Sequence, residues 1–204
     1  MQDLQEIIVS LRLDKFHLLG HSFGGIVAYE YAKSDSKCLS LTLDSTPSNM
    51  KTSLDEVSRL EDEVKNELIR DQGEKDSQDD VSKLIQDRLR RRNELRTDKM
   101  PDSLATAIES RGTTFGPESV ADYVAYPPSS HTLPPVLLIR GQYDFVTEKC
   151  IEGWREIFTH QENSSPTRTS YREEEMSNCA HYCHLEDASS FGDLIKSHIF
   201  INDY

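Results

Sequence analysis

No run of this chain is long and apolar enough to span a bilayer; of its 204 residues 36% are hydrophobic, and charged residues, at 29%, break up the apolar stretches. Basic residues are scarce beside acidic ones, 23 Lys and Arg against 36 Asp and Glu, and the formal net charge is −13. That sign argues against nucleic acid and anionic membranes as partners, since both repel it. The one basic cluster, Arg88 to Arg92, stands between Asp87 and Glu94 and reads as a solvated helix face. Cysteine is sparse too: Cys38, Cys150, Cys179 and Cys183 are scattered, imply no disulfide framework and are compatible with a reducing compartment. Cys179, His181, Cys183 and His184 crowd together, but no second C-x-x-C or H-x-H group stands elsewhere to close a tetrahedral site. Neither a metal nor a cofactor is expected. The start carries no signal peptide, which points to the cytoplasm. There is no internal repeat.

Against these absences, Phe16-His17-Leu18-Leu19-Gly20-His21-Ser22-Phe23-Gly24-Gly25-Ile26-Val27-Ala28 is dense with information. It reads as a short buried strand, an abrupt glycine-bounded turn holding one serine, and a helix. In that context a G-x-S-x-G match predicts a strained turn that presents its serine as a nucleophile. Residues two before and two after the serine must then lack side chains, and Gly20 and Gly24 meet that need. Gly25 lets the helix pack close to the strand. Ser22 is predicted above the strand's carboxyl end, at the positive end of the helix, with the Phe23 N–H directed at an oxyanion. The bland alternative is a glycine-rich connection with an incidental serine.

A hydroxyl needs a base to take its proton, and the base needs an acid to hold its tautomer. The apolar strand Val136-Leu137-Leu138-Ile139-Arg140 ends at Gly141 and delivers Asp144 into a loop. Thr147 is placed to cap the following helix, Glu148 to Phe158. Asp144 alternatively bonds only its own turn. Downstream, Ser177 to Asp187 is a polar loop before a last helix with Phe191, Leu194, Ile195, His198 and Ile199 at helical spacing. His181 sits where a loop can lower an imidazole toward Ser22. His184 is its rival, placed against the helix start in a structural role. His17, His21, His131, His160 and His198 read as structural or solvated.

Serine, acid and histidine in this order resemble the α/β-hydrolase superfamily, over nearly the whole chain. Gly141-Gln142-Tyr143-Asp144, Phe115-Gly116-Pro117-Glu118 and His181-Tyr182-Cys183-His184-Leu185-Glu186-Asp187 further resemble the proline iminopeptidases, serine aminopeptidases that release an N-terminal residue. The resemblance implies that Glu118, one residue displaced from the usual pattern, binds the substrate's free amine. A second acid commonly follows the catalytic aspartate in that branch, and here the position is Phe145.

The superfamily also places several strands before the elbow, with a glycine-rich loop that supplies the second oxyanion N–H. Here only Met1 to Leu13 precedes it, an amphipathic helix with Leu4, Ile7, Ile8 and Leu11 on one face. The chain is therefore expected to begin partway through its fold. One edge of the elbow strand is expected to be bare, open to oligomerisation or to pairing with a partner chain. Loss of the second donor costs on the order of a hundredfold or more in rate.

The expected fold is an α/β-hydrolase core, mostly parallel sheet and its C-terminal part only, with a helical cap insertion. Residues 1–45 hold the elbow, 46–130 the cap, and 131–204 the acid and histidine loops. Strands are expected near Leu39 to Leu43 and Thr167 to Tyr171. In the insertion Leu54, Val57, Leu60, Val64 and Leu68 mark one helical stripe and Val81, Leu84, Ile85 and Leu89 another, with Asp71 to Asp80 as an acidic linker. The expected activity is that of a serine hydrolase acting on a small peptide or amide through Ser22, His181 and Asp144. The alternatives are a carboxylesterase, lipase or thioesterase acting on small esters, and a non-catalytic truncated fragment. Epoxide hydrolase and dehalogenase chemistry is disfavoured, because it uses an aspartate where Ser22 stands.

Overall fold

The computed structural model describes residues 2–34, 37–72, 78–110, 120–129, 133–164 and 170–203. Its centre is a four-stranded, all-parallel sheet in the order β1 (Phe16–His21), β2 (Cys38–Asp44), β3 (Val136–Gly141) and β4 (Tyr171–Met176). Parallel neighbours need crossover connections, and helices supply them. α2 (Phe23–Ala32) joins β1 to β2, and α6 (Glu148–Ser164) joins β3 to β4. The one-turn α7 (Cys183–Glu186) and α8 (Ala188–Asn202) follow β4, and the Asp187 carboxylate caps α8 by accepting the Ser190 N–H at 3.0 Å.

β3 is apolar throughout because both faces of the sheet are covered. Val136 and Leu138 face a core with Tyr29 of α2 and Trp154 and Phe158 of α6. Leu137 and Ile139 face the opposite layer, with Met176, Cys183 and Phe191. The Trp154 indole N–H donates to the Thr46 carbonyl at 2.8 Å, so the largest buried ring is also satisfied. All four cysteines are buried, and none is in a disulfide. Among the described residues, no helix is long and apolar enough to cross a membrane.

The last strand lies further along than the sequence pattern suggests, at Tyr171–Met176 rather than near Thr167 to Tyr171; residues 167–169 are outside the described set. Arg172 to Glu175 have poor strand propensity, but β4 is an edge strand, where charged side chains find solvent and partners. Glu173 accepts from Arg155 at 2.6 Å, and Glu175 pairs with Arg140. At the other edge, β1 leaves Leu19 44% exposed. The preceding α1 (Gln2–Ser10) ends three residues short of Leu13 and buries only Ile8 of its expected apolar face, with Ile7 and Leu11 exposed. β1 is the outermost strand, so nothing in the described sheet meets the rest of that face.

Between β2 and β3 come α3 (Met50–Gln72), α4 (Gln78–Leu89), a π-helical turn (Arg90–Glu94) and α5 (Asp102–Ser110). Leu60, Val64 and Leu68 are buried along α3, as the stripe predicts, and the α4 stripe is half-buried. Gln78 to Asp80, expected in the acidic linker, instead open α4. The basic cluster is not simply a solvated face. Arg88 reaches Asp71 at 3.2 Å and Arg92 reaches Glu67 at 3.0 Å, tying the end of this segment back onto α3.

Candidate active site

Parallel register brings the carboxyl ends of all four strands to one rim, with His21 across from Asp44, Asp44 from Ile139 and Gly141 from Met176. In open α/β sheets this rim is where ligands bind. Ser22 leaves β1 there and sits at the N-terminus of α2 with φ 53° and ψ −122°. A non-glycine residue at positive φ is strained, and surrounding contacts must hold it. The Ser22 N–H donates to the Asp44 carbonyl at 2.8 Å, and the Ser22 carbonyl accepts the Gly25 N–H at 3.0 Å. Phe23, 40% exposed, opens α2, which puts its N–H in the helix's first turn beside the serine.

The glycines divide the task differently from the sequence expectation. A side chain at Gly20 would strike the backbone of Gly24 and Gly25, and one at Gly25 would strike Thr46. A side chain at Gly24 would meet nothing within 4 Å among the described residues. The close approach is therefore between Gly20 and the helix backbone, and between Gly25 and the loop after β2.

Asp144 is 3% exposed, and it bonds both its own turn and a histidine. Its Oδ1 accepts the Val146 N–H at 2.8 Å, closing a local turn, and also accepts from His181 Nδ1 at 2.9 Å. Thr147 does not cap α6 with its side chain; the hydroxyl donates to Glu56 Oε2 at 3.0 Å. The buried Glu56 lies in α3, where burial pushes its carboxyl up but hydrogen bonds from Arg59, Lys149 and Thr147 prevail and hold it down at about 2.

His181 is 3% exposed and held on three sides. The Phe145 ring stacks on it, with centroids 4.0 Å apart at 29°. The His21 ring lies 4.7 Å away, and its Nε2–H donates to the His181 carbonyl at 2.9 Å. Because His21 precedes Ser22, these contacts set the histidine loop against the elbow. Among the described residues the Ser22 hydroxyl makes no hydrogen bond, so the link from Ser22 Oγ to His181 Nε2 is open here. His184, the rival, instead bonds Asp44 Oδ2 through Nδ1 at 3.1 Å. His21, expected to be structural or solvated, is half-buried between His181 and His184. Burial first, then the neighbouring His181, lowers it to about 4 against the opposing pull of Asp44.

Two residues of the site were not foreseen. Asn93 lies within the π-helical turn, which the Leu95 N–H closes by donating to the Arg90 carbonyl at 2.9 Å. Its side-chain amide donates to the Tyr143 carbonyl at 2.8 Å, and its carbonyl accepts the Phe145 N–H at 3.2 Å. The neighbouring Glu94 carbonyl accepts the Tyr182 N–H at 3.2 Å, so one turn of the insertion braces both the acid loop and the histidine loop. Nothing local in Arg90-Arg91-Arg92-Asn93-Glu94 signals this. Phe145 is the second; its stacking role is visible only in three dimensions. Glu118, with Phe115 to Pro117, lies outside the described residues, as does His131.

If the Phe145 ring holds the His181 imidazole in place, Phe145→Ala lowers kcat by on the order of tenfold, the effect of losing one stacked pair. Phe145→Tyr, which keeps the stack, stays near wild type in the same steady-state assay. Equal losses in both variants would remove stacking from the account.

With this geometry in hand, residues 2–188 match the family described as alpha/beta hydrolase fold, and the chain belongs to that family. Its fold is similar to the crystal structure of VinJ, with a TM-score of 0.74 and 17% identity, covering 98% of this chain and 71% of that one. It is equally similar to proline iminopeptidase from Mycobacterium smegmatis, with a TM-score of 0.73, 18% identity and coverage of 98% and 70%. A carboxylesterase structure from the ammonia-oxidizing thaumarchaeon Nitrososphaera gargenis matches less closely, with a TM-score of 0.53, 17% identity and coverage of 99% and 71%. No curated protein matches the chain in sequence.

Proposed function

We propose that this chain is a serine hydrolase that works through an acyl-enzyme. One observation carries the reading: a serine held at positive φ follows a residue, His21, that packs on a buried histidine whose Nδ1 is bonded to a buried aspartate. That bond places the imidazole proton on Nδ1 and leaves Nε2 as the base. As Ser22 Oγ attacks a carbonyl carbon, its proton passes to His181 Nε2. Asp144 stabilises the resulting imidazolium, and the Phe23 N–H meets the oxyanion. The protonated His181 then gives its proton to the departing amine or alcohol. Water, activated by the same ring, releases the acid. The open Ser22–His181 link is the kind that tightens when substrate arrives.

For substrate class, the likeness to a proline iminopeptidase and the sequence resemblance favour release of an N-terminal residue from a small peptide or amide, with Glu118 on the free amine. Phe145 favours the second reading, a small ester. It sets an apolar ring where that branch commonly has a second acid, so the amine loses one of two carboxylates. The α3–α5 insertion, braced on both loops, serves as the cap that selects between them.

Fluorophosphonate labelling of the purified chain tests the chemistry. Adduct formation on Ser22, absent in Ser22→Ala, is the expected result. A soluble, folded chain that does not label would replace the enzyme reading with that of a non-catalytic fragment. For chains that do label, proline and alanine amides compared with short p-nitrophenyl esters separate the two substrate classes.

A further inference from the structure

Beside the proposed catalytic groups, the same rim carries a second cluster that the hydrolytic mechanism does not use. His21 at the end of β1, Asp44 across from it at the end of β2, and His184 at the start of α7 each place one ligand-type atom within 4.8 Å of the other two. Asp44 is fully buried. Its described contacts are the Ser45 hydroxyl at 3.3 Å and His184 Nδ1 at 3.1 Å, and among the described residues no lysine or arginine pairs with it. A carboxylate removed from water needs a counter-charge. The two imidazoles that face it, 4.9 Å apart between centroids, supply neutral nitrogen donors of the kind borderline divalent cations prefer.

We infer that His21, Asp44 and His184 form a binding site for a zinc-class divalent cation, with the remaining coordination positions open to water. Two imidazole nitrogens and one carboxylate oxygen are a three-ligand set that Zn2+ accepts in tetrahedral geometry. Bonds of about 2.0–2.1 Å require the donors to close in by roughly an ångström. His184 can supply that movement: its side chain is 32% exposed and it stands on a one-turn helix. Nδ1 of His184 now faces Asp44 as a donor, so ligation through it moves the ring proton to Nε2, or to solvent if the ring is charged. His21 keeps its Nε2–H on the His181 carbonyl and presents the lone pair of Nδ1, and that outer bond fixes its tautomer. Cys179 and Cys183 are not among the residues whose ligand atoms converge here. Occupancy of the site holds residues 181–184 against the elbow from both sides.

Titration of the metal-free, full-length chain with Zn2+, read by competition with a chromophoric chelator, tests the site. Co2+ serves as a second probe, through the strong visible bands of four-coordinate cobalt. One saturable equivalent and a rise in Tm with Zn2+ are expected. His184→Asn keeps a donor for Asp44 but lacks the imidazole, so it should weaken binding by on the order of tenfold or more, as should His21→Asn. His160→Ala, on the exposed face of α6, should leave binding unchanged. No saturable binding, or binding indifferent to His184→Asn in a folded variant, would overturn the assignment. Loss of fluorophosphonate labelling would not, because this site does not depend on the serine chemistry.

Discussion

Replacing His181 with alanine is expected to lower kcat by on the order of 10^6, and adding Ser22→Ala to that variant should cost nothing further. A serine hydroxyl is a poor nucleophile until a base takes its proton, so base and nucleophile act as one unit. The proposed base is His181, which has Nδ1 bonded to Asp144 at 2.9 Å and lies against the residue that precedes Ser22. His184, the other candidate, bonds a different carboxylate, Asp44, at 3.1 Å and is the more exposed of the two rings. The measurement is kcat for wild type, both single variants and the double variant on one activated ester. Thermal melts beside it confirm that each is folded, since the buried His181 ring fills space between Phe145 and His21. If the single losses multiplied in the double variant, or if His181→Ala stayed within tenfold of wild type, the pairing would be wrong.

Gly20→Ala is expected to prevent folding, whereas Gly24→Ala is expected to fold normally. At Gly20 the new methyl meets the backbone of Gly24 and the Cα of Gly25, which cannot withdraw without undoing the turn. Such a clash belongs with the rare substitutions that cost more than about 4 kcal/mol, a large share of the roughly 5–15 kcal/mol that a domain has. At Gly24 the methyl enters open space among the described residues, and alanine is the better helix former by about 1 kcal/mol. Soluble yield and Tm decide the matter. Two variants of similar stability would mean that the elbow relaxes more freely than its contacts indicate.

The elbow was legible in the sequence because its constraints are local. A strand, a turn and a helix share one peptide, and the turn tolerates almost no side chain around Ser22. Asp144 was legible for a similar reason: an apolar strand stopping at a glycine must release its next polar residue at the sheet's rim. The error over Gly24 has a physical source. A motif records which positions are small, whereas the contact map distinguishes the glycine that would collide from the one that would not. The strand at Tyr171–Met176 was placed too early because its charged residues look like loop until Arg155 and Arg140 are seen to pair with them.

From the sequence alone came the family-level fold, the glycine-bounded turn at Ser22, and Asp144 and two histidines as candidates, all features set by short-range sterics and by the order of elements. The tertiary structure decided which histidine faces Asp144, because that depends on how the loop after β4 meets the loop after β3. It also decided that Phe145 stacks on His181, that Asn93 braces both loops from the far end of the insertion, and that His21, Asp44 and His184 converge. Those residues are distant along the chain. Only parallel strand register and helix crossovers bring them together, and no local pattern records which long-range pairs will meet.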